Sequence, residues 1–114
     1  MLKSSKVTRL LCELIAIPSV NPSLVSESSD LCGEESIATF LIEKAEALGI
    51  SAQRQAVLPG RKNVIFRLKP SGRIKQRILL APHLDVVPAN RKSFRPQIKN
   101  GKIYGRGACD TKGS

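Results

Sequence analysis

The segment from residue 78 to residue 88 reads ILLAPHLDVVP, and its apolar residues come directly before the chain's only histidine. We predict a strand over Arg77–Ala81, with His83 just past its carboxyl end, where the sites of open α/β sheets lie. Because His83 and Asp85 are two residues apart, their side chains would point to the same side of an extended backbone. That arrangement suits a metal-bound imidazole whose second ring nitrogen is held by a carboxylate. The open alternative is a histidine that a carboxylate holds for purely structural reasons.

A glycine-rich segment follows at residues 100–113 and reads NGKIYGRGACDTKG. Its glycines permit tight or left-handed turns, which would bring the carboxylate of Asp110 close to another part of the chain. Asn100-Gly101 is a strong signal for a two-residue turn, so we predict a hairpin over Ile98–Tyr104. The open alternative is an ordinary glycine-rich surface loop.

Two helices are predicted on the amino-terminal side. The first begins at Val7 and is ended by Pro18, because proline lacks an amide donor and biases its predecessor towards extended geometry. The second spans Glu34–Leu48, and Gly49 is placed to cap its carboxyl end. Helical spacing predicts one apolar face on each helix: Val7, Leu10, Leu11, Leu14 and Ile15 on the first, and Ile37, Phe40, Leu41, Ala45 and Leu48 on the second.

Strands are predicted at Ser51–Val57 and Asn63–Leu68, in addition to Arg77–Ala81. Proline and glycine mark turns between them at residues 58–60 and 70–72. Helices followed by strands predict an α/β fold in which helices cover a mixed sheet.

Size, charge and cysteines narrow the class of protein. At 114 residues the chain is at most one domain. Residues 53–114 carry 15 Lys/Arg against two Asp/Glu, and such a basic half could attract a polyanion, although few aromatic residues are available to stack nucleic-acid bases. The three cysteines, an odd number without C-x-x-C spacing, indicate neither a disulfide framework nor a zinc knuckle. Without a membrane span or a signal-peptide pattern, we expect a cytoplasmic protein.

Taken together, the two motifs resemble the metal-binding core of the acetylornithine deacetylase, succinyl-diaminopimelate desuccinylase and carboxypeptidase G family of zinc-dependent peptidases and amidohydrolases. The loop Ile17–Pro22 resembles the family's amino-terminal region. The resemblance implies that His83 binds one metal ion, that Asp110 bridges two, and that Asp85 serves catalysis by orienting His83. The implied cofactors are two divalent ions, Zn²⁺ or Co²⁺, about 3.5–4 Å apart. A cis peptide bond after Asp110 is also implied.

The fold implied by the resemblance is a partial three-layer zinc-exopeptidase-like catalytic domain of the α/β class, with a mixed sheet flanked by helices. Residues 1–114 would be its amino-terminal part, without the family's lid or dimerisation domain. The implied reaction is hydrolysis of an amide bond in an N-acyl amino acid or small peptide, by an enzyme that can form a homodimer when complete.

The sequence departs from the family pattern at Pro82, Leu84 and Thr111, and none of these changes removes a ligand. The family's remaining ligands and its Glu-Glu general-base pair would follow Ser114, so we expect a truncated fragment that is inactive alone. A rival hypothesis from another class is a non-catalytic module whose basic half binds a polyanion or a partner protein.

Overall fold

The computed structural model describes residues 5–114, which form two α-helices and two antiparallel hairpins joined by long irregular segments. The elements are α1 (Lys6–Ala16), α2 (Glu35–Ala47), β1 (Ser51–Leu58), β2 (Arg61–Arg67), β3 (Gln97–Lys99) and β4 (Lys102–Tyr104), with 3₁₀ turns at Pro22–Leu24 and Arg91–Phe94. The chain is therefore a small α/β structure. Across residues 5–114, no helix has the length and apolar character needed to cross a membrane.

Helix α1 begins one residue before the predicted Val7, after a Ser5 cap that was not predicted, and it ends before Pro18, as predicted. The Ser5 hydroxyl accepts a hydrogen bond from the Thr8 amide at 3.1 Å, which satisfies one of the free donors of the first turn. The predicted apolar face is only partly buried: Leu14 and Ile15 are buried, whereas Val7 is 75% exposed. The prediction was wrong for the amino-terminal turns, whereas Leu11, Leu14 and Ile15 lie against residues 105–113.

Helix α2 matches its predicted bounds to within one residue at each end. The amides of Gly49 and Ile50 donate to carbonyls in the last turn, and Gly49 has a φ of +71° that favours glycine, so the predicted cap is confirmed. The helix packs against the β1–β2 hairpin and buries Ile37, Ala38 and Ala45. Leu48 was placed on this face, but it follows the last helical residue and is 76% exposed.

The continuous mixed sheet is not formed among residues 5–114. The strands predicted at residues 51–57 and 63–68 are observed as β1 and β2, and the hairpin predicted at residues 98–104 is observed as β3 and β4. Each pair is a separate two-stranded antiparallel sheet. The predicted strand Arg77–Ala81 is irregular, and the leucine side chains at positions 79 and 80 are 88% and 83% exposed. A strand needs a neighbour to accept its backbone hydrogen bonds, and both strands of each hairpin pair with each other instead. The prediction of an interior strand was therefore wrong for the described residues.

A small core lies where three irregular segments meet. Its centre is Val20, Val86 and Phe94, each less than 5% exposed. Val20 forms isolated parallel bridges with both Cys32 and Val86, so the loop after α1 runs between two other segments. Val86 of this core directly follows Asp85 in the sequence, so the core supports the segment that carries the predicted site.

Candidate metal centre

Backbone pairing with the loop after α1 holds the segment that carries His83 and Asp85. The Val86 amide donates to the Ser19 carbonyl at 2.9 Å, and the Asn21 amide donates to the Val86 carbonyl at 3.0 Å. The buried Ser19 hydroxyl donates to the Leu84 carbonyl at 2.8 Å. The segment is thus fixed by this loop, although the strand predicted before it is absent.

Two close backbone approaches bring Asp110 to the same place. A β-carbon added at Gly107 would lie 2.8 Å from Val86 Cγ1, and one added at Gly105 would overlap the side chain of Ile15. Only glycine, which has no β-carbon, lets the loop lie this close to Val86 and Ile15. The peptide bond between Asp110 and Thr111 is cis, as the resemblance implies.

The imidazole of His83 lies between Asp85 and Asp110. Its Nε2 atom is 2.9 Å from Asp110 Oδ1, which is a direct hydrogen-bond distance. Its Nδ1 atom is 2.9 Å from the backbone carbonyl oxygen of Asp85 and 3.3 Å from the carboxylate oxygen Oδ1 of the same residue. Asp85 is therefore within reach of the second ring nitrogen, as expected, but its backbone carbonyl makes the closer contact.

The surroundings of the ring favour a positive charge on it. Hydrogen bonding to the Asp85 carbonyl, and then to the Asp110 carboxylate, raises the pKa of His83 above its ordinary value. When Nδ1 donates to the carbonyl, Nε2 of a neutral ring is a lone-pair atom that faces an anionic oxygen. A proton or a metal cation between these two atoms removes the repulsion.

Sequence reasoning assigned no role to two residues that hold the site in place. Asn21 donates from Nδ2 to Asp85 Oδ2 at 2.9 Å, so it orients the carboxylate beside the histidine. Lys112 is 8% exposed, and its ammonium donates to the carbonyls of Leu14 and Ile17 at 2.9 and 2.6 Å. Burial lowers the pKa of Lys112 to about 8, which leaves the side chain mostly charged at neutral pH. The only signal in the sequence was that Asn21 lies in the loop Ile17–Pro22 and Lys112 in the glycine-rich segment at residues 100–113.

The donor set of His83 and Asp110 fits part of a zinc site. An imidazole nitrogen and a carboxylate oxygen are both common zinc ligands, and Zn²⁺ bonds each at about 2.0–2.2 Å. Their side chains are 50% and 87% exposed, so an ion could approach from solvent. Within residues 5–114, no group of three or more His, Cys, Asp or Glu side chains converges in a way that could hold a metal. Two such side chains are fewer than the three protein ligands that a catalytic zinc site uses.

Comparison with known proteins finds a family model that matches part of this chain and several relatives whose names describe hydrolases. Residues 79–114 match the model of peptidase family M20/M25/M40. The chain is 31% identical to succinyl-diaminopimelate desuccinylase of Legionella pneumophila (strain Lens), over 95% of this chain and 26% of that protein. It is 30% identical to the desuccinylase of Xanthomonas campestris pv. campestris (strain B100), over 97% of this chain and 27% of that one.

A third relative is the putative [LysW]-lysine/[LysW]-ornithine hydrolase of Pyrococcus furiosus, which is 42% identical over 70% of this chain and 22% of its own length. The chain thus spans about a quarter of the length of the curated relatives it matches. The family match begins in the segment before His83 and includes all three predicted site residues. This chain is therefore similar to peptidase family M20/M25/M40 over residues 79–114, and to the two desuccinylases over nearly its whole length.

Proposed function

We propose that this chain supplies part of the metal-binding half of a three-layer catalytic domain in a hydrolase that cleaves an amide bond of an N-acyl amino acid or small peptide. In this proposal His83 and Asp110 are metal ligands, and Asp85 orients His83. The observation that carries the proposal is the 2.9 Å approach of His83 Nε2 to Asp110 Oδ1, with the other ring nitrogen occupied by the Asp85 carbonyl.

Each residue has a separate task in the proposed reaction. The Asp85 carbonyl accepts a hydrogen bond from Nδ1–H and so directs the basic nitrogen of His83 towards Asp110. Asn21 holds the Asp85 carboxylate 3.3 Å from Nδ1, where its charge increases the basicity of the ring. The Asp110 carboxylate supplies the negative charge that two nearby divalent ions would need between them. Bound zinc would act as a Lewis acid on the substrate's amide carbonyl.

A chimera tests this proposal directly. Residues 1–114 would replace the matching segment of the Legionella desuccinylase, so that the relative supplies the rest of the catalytic domain. We expect zinc-dependent desuccinylation by the chimera, and a loss of more than about 100-fold with His83→Ala or Asp110→Ala, because each change removes a ligand. Asp30→Asn is the matched control, because this exposed acid pairs with Arg91 and lies outside the site.

Two results would count against the proposal. One is a folded, zinc-loaded chimera with no turnover. The other is an active chimera whose rate is unchanged by His83→Ala. Either result would favour the rival hypothesis of a non-catalytic basic module.

A further inference from the structure

An open cleft of about 490 Å³ lies between the second 3₁₀ turn and the β3–β4 hairpin. Its volume is in the range of small-molecule sites. None of the residues that line it belongs to the proposed metal centre. Its walls include Asn90, Lys92, Ser93, Arg95 and Arg106.

The lining carries three positive charges and no negative charge. Among residues 5–114, no carboxylate lies within ion-pair distance of Lys92, Arg95 or Arg106, whereas the adjacent Arg91 is paired with Asp30 at 2.6 Å. The cleft is therefore a concentration of cations that the described part of the chain leaves without counter-charges.

One of these cations also has an unsatisfied donor. The Nε atom of Arg106 is buried and has no hydrogen-bond partner in the described part of the chain. Buried donors without partners are rare, because burial removes the hydrogen bonds that such groups make with water. Arg106 also lines the cleft, so its guanidinium group lies beside any anion that enters it.

The walls of the cleft are held in place before any ligand arrives. The Arg106 amide donates to the Ser93 carbonyl at 2.7 Å and ties the hairpin to the 3₁₀ turn. Asn90 Oδ1 accepts from both the amide and the hydroxyl of Ser93 at 3.1 Å, which leaves the Asn90 amide group available as a donor. Phe94 anchors the same turn in the core. A preformed site loses less conformational entropy on binding.

We propose that this cleft binds a small oxyanion, the carboxylate or phosphate group of a soluble ligand. Arg106 and Arg95 are the main contacts, because guanidinium groups offer paired donors that match the oxygens of either group. The surplus of positive charge in residues 53–114 raises the local concentration of such anions. This binding site is separate from the proposed metal centre and does not depend on the proposed hydrolase function.

The test is calorimetric titration of the 114-residue chain with inorganic phosphate and, separately, with succinate. We expect saturable binding of at least one anion with a Kd of roughly 1 mM or below.

Arg95→Gln, which changes an exposed side chain, should weaken binding about fivefold or more. Arg106→Lys should do the same with its charge retained, because lysine has no Nε–H donor in a planar fork. Tighter phosphate binding would identify a phosphorylated ligand, and tighter succinate binding a carboxylate ligand.

The matched control is Arg67→Gln, which removes the same charge from an exposed position outside the cleft. Its binding should equal that of the unchanged chain. Equal weakening by Arg67→Gln and Arg95→Gln would overturn the proposal, because the attraction would then come from overall charge. Absence of saturable binding below about 10 mM would also overturn it. Binding of a single-stranded oligonucleotide, without binding of either small anion, would replace it with a polyanion surface.

Discussion

The ring of His83 is held by one backbone oxygen and one carboxylate. Its Nδ1 contact is with the Asp85 carbonyl at 2.9 Å, so the ring orientation does not depend on the Asp85 side chain. Its Nε2 contact with Asp110 is equally short. Two ligands on a tetrahedral zinc ion at about 2.0–2.1 Å are about 3.3 Å apart. A shift of a few tenths of an ångström therefore separates the observed pair from a metal-ligand geometry.

This arrangement predicts a graded effect of changes at Asp85. In the chimera described above, Asp85→Ala should lower zinc affinity roughly 10-fold, at the low end of the 10–100-fold range for residues that support a ligand. The effect is at the low end because the backbone carbonyl that orients the ring remains. Competition with a chromogenic chelator measures the affinity.

Asp30→Asn serves again as the control, with unchanged affinity expected. Loss of all zinc binding in Asp85→Ala, to the level of His83→Ala, would show that the carboxylate has a larger role than the geometry indicates.

At the level of elements, helix α1 and the carboxyl-terminal loop are joined through Lys112. Its ammonium donates to the carbonyls of Leu14 and Ile17 and lies 5.7 Å from the centre of the Phe94 ring. A positive charge at the carboxyl end of a helix also interacts favourably with the helix dipole. Lys112 is two residues after Asp110 in the sequence. Its contacts therefore anchor the loop that carries Asp110 to helix α1, which lies at the other end of the chain.

Lys112→Met keeps the linear side chain but removes both charged hydrogen bonds. We expect the free energy of local opening in the last turn of α1 to fall by about 1.5–3 kcal/mol, the usual contribution of hydrogen bonds to charged groups. Amide hydrogen exchange over residues 6–17 measures this loss, with residues 35–47 of α2 as an internal reference.

Lys102→Met, on the exposed surface of β4, makes the same chemical change without these contacts and should leave α1 unaffected. Equal protection of α1 in Lys112→Met and Lys102→Met would mean that the lysine does not hold the loop to the helix.

On the scale of the whole molecule, the segment before His83 is an exposed apolar surface. The side chains of Ile78, Leu79 and Leu80 are 80%, 88% and 83% exposed, and they are consecutive. Unpaired backbone groups beside such side chains form a template for strand pairing with another chain. The isolated chain should therefore associate with itself.

We expect oligomers or aggregates of the 114-residue chain in size-exclusion chromatography with light scattering. Leu79→Lys should shift the distribution towards monomer, because a charge opposes strand pairing at this position. Leu68→Lys is the matched control, because Leu68 is 79% exposed and lies outside the segment. A monodisperse monomer that melts cooperatively would contradict this prediction.

The isolated chain should also show no deacylase turnover. Only two of the proposed metal ligands meet at the site within residues 5–114, and a catalytic zinc site uses three protein ligands. Assay of the purified chain with N-acetyl and N-succinyl amino acids in the presence of Zn²⁺ or Co²⁺ tests this. Turnover that His83→Ala abolishes would prove the prediction wrong.

Local rules were sufficient for α2 and its Gly49 cap, for the end of α1 before Pro18, and for the turn at Asn100-Gly101. These features depend on the backbone preferences of a few consecutive residues, which a sequence displays directly. The proximity of His83 and Asp110 was also predictable, but through the resemblance of two ordered motifs rather than through spacing alone. The metal ligation itself remains a prediction.

Other features depend on which segments meet in space. Arg77–Ala81 has the apolar residues of a strand, yet it is irregular because no segment among residues 5–114 pairs with it. The contacts of Asn21 with Asp85 and of Lys112 with α1 join residues 64 or more positions apart. No local preference encodes such contacts, because they arise only when packing brings distant segments together. Tertiary structure therefore decided how the site is supported, and which apolar surfaces are buried.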